Sequence, residues 1–124
     1  NPQIHIVQTT ACHPIVEYIM AQSTEKQGDR HVAPLLAMTE KSLADAIVDK
    51  IAYRKQAVAD AVKNSQGNGW IATNDEIIEA IKQIKMAVGF TISPNSALSV
   101  VGLTKAVKNG WQWGGPVVCL ITGA

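Results

Sequence analysis

The sequence has little net charge, little cysteine and no long apolar run, and each shortage closes off a class of function. Eleven Lys and Arg stand against ten Asp and Glu, a formal charge of +1, so no basic field is available to draw in nucleic acid or anionic lipid. Both partners are discounted. No apolar run approaches the ~18 residues of a membrane-spanning helix, and the opening Asn-Pro-Gln-Ile-His-Ile lacks the charged region and apolar core of a signal peptide. A soluble, cytoplasmic protein is expected. Cys12 and Cys119 are the only cysteines; far apart and in unrelated contexts, they read as reduced thiols. His5, His13 and His31 have no metal-ligand spacing, and no metal is expected. A nucleophile elbow, a phosphate loop and a dinucleotide fingerprint are all missing.

What is present is the alternation of a layered α/β domain. At 124 residues, 47% of them hydrophobic, the chain is one unit of ordinary size, small for a doubly wound sheet. Ile4, Ile6 and Val7 predict a first strand within residues 3–8. Pro14 suits a first helical turn, and Ile15, Val16, Ile19 and Met20 continue at helical spacing to about Gln22. Residues 23–30 are polar and read as a surface loop. The segment 31–38, interrupted by Pro34, shows no clear period. Leu43, Ala44, Ile47, Val48 and Ile51 follow a helical pattern that breaks near Tyr53 and resumes from Gln56 to Asn64.

After the glycines at 67 and 69, residues 70–72 predict a strand. Thr73 and Glu76 then stand in capping-box spacing. The helix they open carries Ile77, Ile78, Ile81, Ile84 and Val88 on one face and ends at Gly89. A further short strand is predicted at 90–92. The last helix, read as capped by Ser96 after Pro94 and Asn95, closes at Asn109 and Gly110. The run 117–121 has the unalternating apolar character of a strand covered on both faces. The expectation is therefore a three-layer α/β fold, its sheet mostly parallel, with helices on both faces.

That last strand would end at Thr122 and Gly123. Ligands of open parallel sheets bind beyond the carboxyl ends of the strands, so a hydroxyl there is a candidate contact, although such threonines more often bond backbone. Trp111 and Trp113, in the glycine-bounded loop 110–115, could stack on a ligand or another chain; more often such aromatics cover a sheet edge or bury an interface.

The order of four pieces in the chain resembles a known family. The pieces are Trp70-Ile-Ala-Thr-Asn-Asp-Glu-Ile-Ile78, the stretch from Gly89 through Ser93-Pro94-Asn95-Ser96-Ala97, the Gly102-Leu-Thr-Lys-Ala106 helix, and Val117-Val-Cys-Leu-Ile-Thr-Gly123. Together they are similar to the closing part of threonine synthase and its relatives, pyridoxal-phosphate enzymes of the tryptophan synthase β-like fold, or fold type II. Ile4-His-Ile-Val-Gln8 also resembles a strand of that family. The resemblance implies that residues 1–124 form a single α/β unit of the large domain, the C-terminal fragment of a longer enzyme. It implies pyridoxal 5'-phosphate as cofactor, an amino-acid substrate, and the rest of the enzyme chain and a homo-oligomer as partners.

By that resemblance Thr122 shares a hydrogen bond with the pyridine nitrogen of the cofactor, with Gly123 and Ser93 beside it. A neutral hydroxyl leaves the ring nitrogen largely unprotonated and favours elimination and replacement chemistry. Two departures stand out. Ser93 takes the place of the family's glutamate, which puts substrate choice in doubt. No part of the chain resembles the family's phosphate cup or the lysine that carries the cofactor, because Lys26, Lys41, Lys50, Lys55, Lys63, Lys82, Lys85, Lys105 and Lys108 fall on polar faces or in loops. The chain alone is expected not to catalyse. The leading expectation is a threonine synthase-like enzyme acting on phosphohomoserine; cysteate synthase, using phosphoserine and sulfite, is the alternative, and a noncatalytic binding or oligomerisation module is a third reading.

Overall fold

The computed structural model describes residues 1–24, 41–48 and 51–123. The predicted features at 25–40, including Lys26, His31 and the segment around Pro34, lie outside the described residues, as does Lys50. In chain order the elements are β1 (Ile6–Thr9), α1 (Pro14–Thr24), a 3-10 turn (Asp45–Ile47), α2 (Lys55–Asn64), β2 (Gly69–Ala72), α3 (Asn74–Val88) and α4 (Pro94–Lys108).

β1 and β2 pair in parallel, with Ile6 opposite Gly69 and Thr9 opposite Ala72. Side chains alternate along each strand, so Val7 and its partner Trp70 share one face while Gly69 opens on the other. Each face receives a helix. A Cβ placed on Gly69 would lie 3.0 Å from Val16 of α1, whereas one on Gly102 of α4 would lie 2.4 Å from Val7. Two glycines thus let two helices approach the strands closely, α1 on the face of Gly69 and α4 on the face of Val7 and Trp70.

α4 carries the largest share of the core. Ala97, Leu98, Val100 and Val101 join Ile77 and Ala80 of α3, Ala72 of β2 and Ile92 in one cluster, with Val7, Ile81 and Ile84 packed against it. Truncating a side chain as deeply set as Ile77 costs about 2–5 kcal/mol. α3 starts as its sequence predicts: Thr73 Oγ1 accepts from the Glu76 amide, and Glu76 Oε1 accepts from the Thr73 amide. Gly89 ends it in the left-handed region at φ 84°, where glycine pays no steric cost. Lys105 of α4 then reaches across to bond both Ile71 O, at 2.7 Å, and Glu76 Oε1, at 2.9 Å.

Five expectations are corrected. The run 117–121 forms no strand, and neither do residues 90–92; an apolar run becomes a strand only when a neighbour satisfies its backbone, and no described segment pairs with either one. Val118 and Leu120 are 78% and 71% exposed. Of the helix predicted over 43–51, the described part shows only the 3-10 turn. On α3, Ile78 and Val88 are exposed, so the buried stripe is narrower than predicted and runs through Ile77 and Ala80. Finally, α4 is capped by Ser93 and not Ser96: Pro94 takes the first helical position, where its missing N–H costs nothing, which moves the cap one residue before the proline.

Candidate functional site

The site is built on the amino end of α4. Ser93 has extended backbone (φ −68°, ψ 155°), and its hydroxyl accepts from the Ser96 amide at 3.3 Å. Its own proton points to Ser96 Oγ, 3.1 Å away. Ser96 is buried and turns to the end of the chain, donating to Gly123 O at 2.8 Å and accepting from Gly123 N at 3.0 Å. The Ser93 amide also reaches Gly123 O, at 3.4 Å. One turn on, the Ser99 hydroxyl shares its proton between Ser96 O at 3.0 Å and Leu120 O at 3.2 Å, and the Cys119 thiol donates to Ser99 O at 3.6 Å. Serines at one-turn spacing therefore hold residues 119–123 along a single face of the helix.

Of the three residues singled out from sequence, Ser93 and Gly123 meet directly. Thr122 stands between the clamped residues 120 and 123, exposed, with its hydroxyl engaging no partner among the described residues. That hydroxyl is free to donate or accept. A Cβ on Gly123 would lie 3.5 Å from Ser93 Oγ, an ordinary contact, so the glycine leaves room beside the helix end without being forced there.

Ser96 and Ser99 were missed in the sequence as site residues. The signal available was the spacing of three between successive serines at 93, 96 and 99, which sets each beside the next on the helix surface once Ser93 is recognised as the cap. Asn95 Oδ1, in the same turn, is buried without a hydrogen-bond partner. At the carboxyl end of β1, Thr9 Oγ1 is likewise unpartnered; His13 Nδ1 donates to Thr9 O at 2.9 Å, and His13 Nε2 lies 3.2 Å from Glu17 Oε1 without the alignment of a hydrogen bond. Gln8, not a cap residue of the helix itself, accepts from the Ile15 and Val16 amides at the start of α1.

Burial raises the pKa of the Cys119 thiol, against an opposing contribution from its contact with Ser99. Cys12 and Cys119 are both free of disulfide. Among the described lysines only Lys105 is partly buried, and it is committed to Glu76 and Ile71. No group of three or more His, Cys, Asp or Glu that could hold a metal ion occurs among the described residues, and no helix among them is long and apolar enough to cross a membrane.

No family model matches the sequence. Curated relatives do. A threonine synthase of Mycobacterium leprae is 40% identical over 68 residues, 54% of this chain and 19% of the relative, and one of Mycobacterium bovis is 35% identical over 68 residues with the same shares. A cysteate synthase of Methanocella paludicola is 29% identical over 130 aligned residues, 98% of this chain and 29% of that enzyme. The chain spans about a fifth to under a third of the length of these relatives. Two differently named synthases thus align with one sequence, and the chain is related to the threonine synthase-like family.

Proposed function

We propose that residues 1–124 are the C-terminal segment of a cytoplasmic, homo-oligomeric, pyridoxal-phosphate-dependent synthase that converts phosphohomoserine to threonine with release of phosphate. The observation that carries this reading is the serine clamp, which sets the free Thr122 hydroxyl beside the amino end of α4 in a chain related to threonine synthases. The donor set fits the cofactor in one respect: an unpartnered hydroxyl can meet a neutral pyridine nitrogen as a hydrogen-bond donor. Thr122 would hold the ring nitrogen, with Gly123 and Ser93 lining the approach. When bound, pyridoxal phosphate supplies the electron sink for elimination and replacement at the amino acid's side chain.

The lysine and phosphate contacts that such a cofactor also needs would come from the remainder of the enzyme. A three-layer fold type II domain is supported by α1 and α4 lying on opposite faces of the parallel pair. The exposed Val118 and Leu120 offer apolar surface that neighbouring elements of a larger sheet would cover.

A second reading is cysteate synthase, which would replace the phosphate of phosphoserine with sulfite. Two observations favour it: the cysteate synthase match takes in 98% of the chain, and Ser93 stands where the threonine synthase pattern has glutamate. Expression of the complete open reading frame tests both. A cofactor-bearing protein that releases phosphate from phosphohomoserine and yields threonine supports the first reading. Phosphate release from phosphoserine only when sulfite is present replaces it with the second, and a parent protein with neither activity nor cofactor leaves a noncatalytic module.

A further inference from the structure

All three tryptophans of the chain gather around His5. The ring centroids of Trp70, Trp111 and Trp113 lie 6.0, 4.8 and 5.9 Å from that of the imidazole, with Trp111 and Trp113 meeting it edge-on. The hydrogen bonds fix the imidazole's protonation without ambiguity. Gln3 Nε2 donates to Gln66 O at 2.7 Å, so the amide is oriented and its Oε1 is left as an acceptor. Trp113 Nε1 donates to that oxygen at 2.6 Å, and His5 Nε2 lies 3.0 Å from it. His5 Nε2 must therefore carry a proton. On the other side, Trp70 Nε1 is 3.0 Å from His5 Nδ1; an indole nitrogen can only donate, so Nδ1 must be bare.

We infer that His5 is a proton-sensitive latch, whose bond to Trp70 of β2 forms only while its imidazole is neutral and helps to hold the 110–115 loop packed against β2. Protonating Nδ1 would set two N–H donors against each other across 3.0 Å, breaking the bond to Trp70. The groups that face the ring are Gln3 from the amino-terminal segment, Trp70 from β2, and Trp111 and Trp113 from the loop after α4. None of them titrates or carries charge, so among the described residues no group shown in contact with the ring stabilises the imidazolium by ion pairing. Burial accordingly holds the pKa of His5 below its ordinary value of 6.5. The loop it restrains leads into the clamped segment 117–123, so release at acid pH would slacken the approach to Thr122. The latch itself does not depend on which reaction the enzyme performs.

Histidine-labelled protein read by long-range ¹⁵N NMR gives the direct test. At neutral pH the His5 signals should show the Nε2–H form, and their titration midpoint should fall below 6.5. Tryptophan emission should change over the same midpoint, and protease cleavage within 110–123 should quicken there. His5→Phe should abolish the emission step. The Nδ1–H form at neutral pH, a midpoint at or above 6.5, or cleavage that stays constant through the titration would overturn the inference; the first two readings come from the unaltered protein and hold even if the variant fails to fold.

Discussion

Ser96 Oγ lies 2.8 Å from the carbonyl oxygen and 3.0 Å from the amide nitrogen of the same residue, Gly123. One hydroxyl thereby satisfies both backbone groups of a residue 27 positions away, donating to one and accepting from the other. Residues 119–123 have no ladder of their own, so their position rests on α4 and its cap, chiefly on the serine side chains. This makes Ser96 the residue on which the placement of Thr122 depends most.

Ser96→Ala should remove both bonds and leave the Ser93 hydroxyl only its longer contact, with Gly123 O at 3.4 Å. Each bond contributes about 0.5–1.5 kcal/mol net, so a total loss of about 1–3 kcal/mol is expected. The more telling readout is local. Limited proteolysis within 117–123 should accelerate while cleavage elsewhere changes little, and an unchanged cleavage rate would show that other contacts hold the segment.

Thr122 separates function from stability. Because it is exposed and bonds nothing described, Thr122→Val should alter folding stability by less than about 0.5 kcal/mol. If its hydroxyl contacts the cofactor ring in the complete enzyme, losing one hydrogen bond should lower kcat about tenfold, equivalent to roughly 1.4 kcal/mol. Thr122→Ser should retain most of the rate. Steady-state kinetics of the three proteins, alongside urea unfolding, decide the matter; equal rates for all three would remove Thr122 from the site.

Glu76 joins α3 to α4 and gives the fold a pH dependence. Burial opposes its charged form, but the hydrogen bond from Lys105, that from the Thr73 amide and the Lys105 charge outweigh it, holding the pKa below the ordinary 4.5. The folded state then binds this proton less readily than the unfolded state. The stabilisation is complete above about pH 4.5 and is lost as pH falls through the lower folded value. Glu76→Gln should cost about 1–2 kcal/mol at neutral pH and flatten the acid limb of the stability profile. Urea midpoints measured from about pH 3 to 7 check both effects.

Features set by neighbours in sequence were legible, and those set by distant partners were not. Thr73 with Glu76, and Gly89 at the far end of the same helix, follow from capping chemistry within four residues. The cap of α4 was misplaced at Ser96, although Pro94 in the first turn points to Ser93. The run 117–121 misled because apolar character records what a segment can bury, whereas strand formation needs a partner backbone. The two glycines that admit helices, 69 and 102, carry no local mark, since their value lies in Val16 and Val7 across the interface. Trp111 and Trp113 do pack, as aromatics in such loops tend to, but their convergence on His5 spans more than 100 residues. As for the candidate site, Ser93 and Gly123 were named from the family pattern; that they lie together, and that Ser96 joins them, needed the structure.

Gly102 tests how closely α4 must lie on β1. A Cβ at this position would come 2.4 Å from Val7 Cγ2 but 3.7 Å from Val7 Cβ, so the conflict is with one methyl group and not with backbone. Gly102→Ala should therefore destabilise the protein by about 1–3 kcal/mol through overpacking, even though alanine is the better helix former by about 1 kcal/mol. Val7→Ala alone should also destabilise, by emptying part of the same space. Combined, the two changes relieve each other: the new methyl occupies the room vacated by the old one, and the double variant should be more stable than the sum of the single losses predicts, by at least about 1 kcal/mol. Thermal or urea unfolding of the four proteins measures that coupling. Additive losses would mean that α4 and β1 adjust their separation freely, and that the close approach at Gly102 does not fix the helix whose amino end carries Ser93 and Ser96.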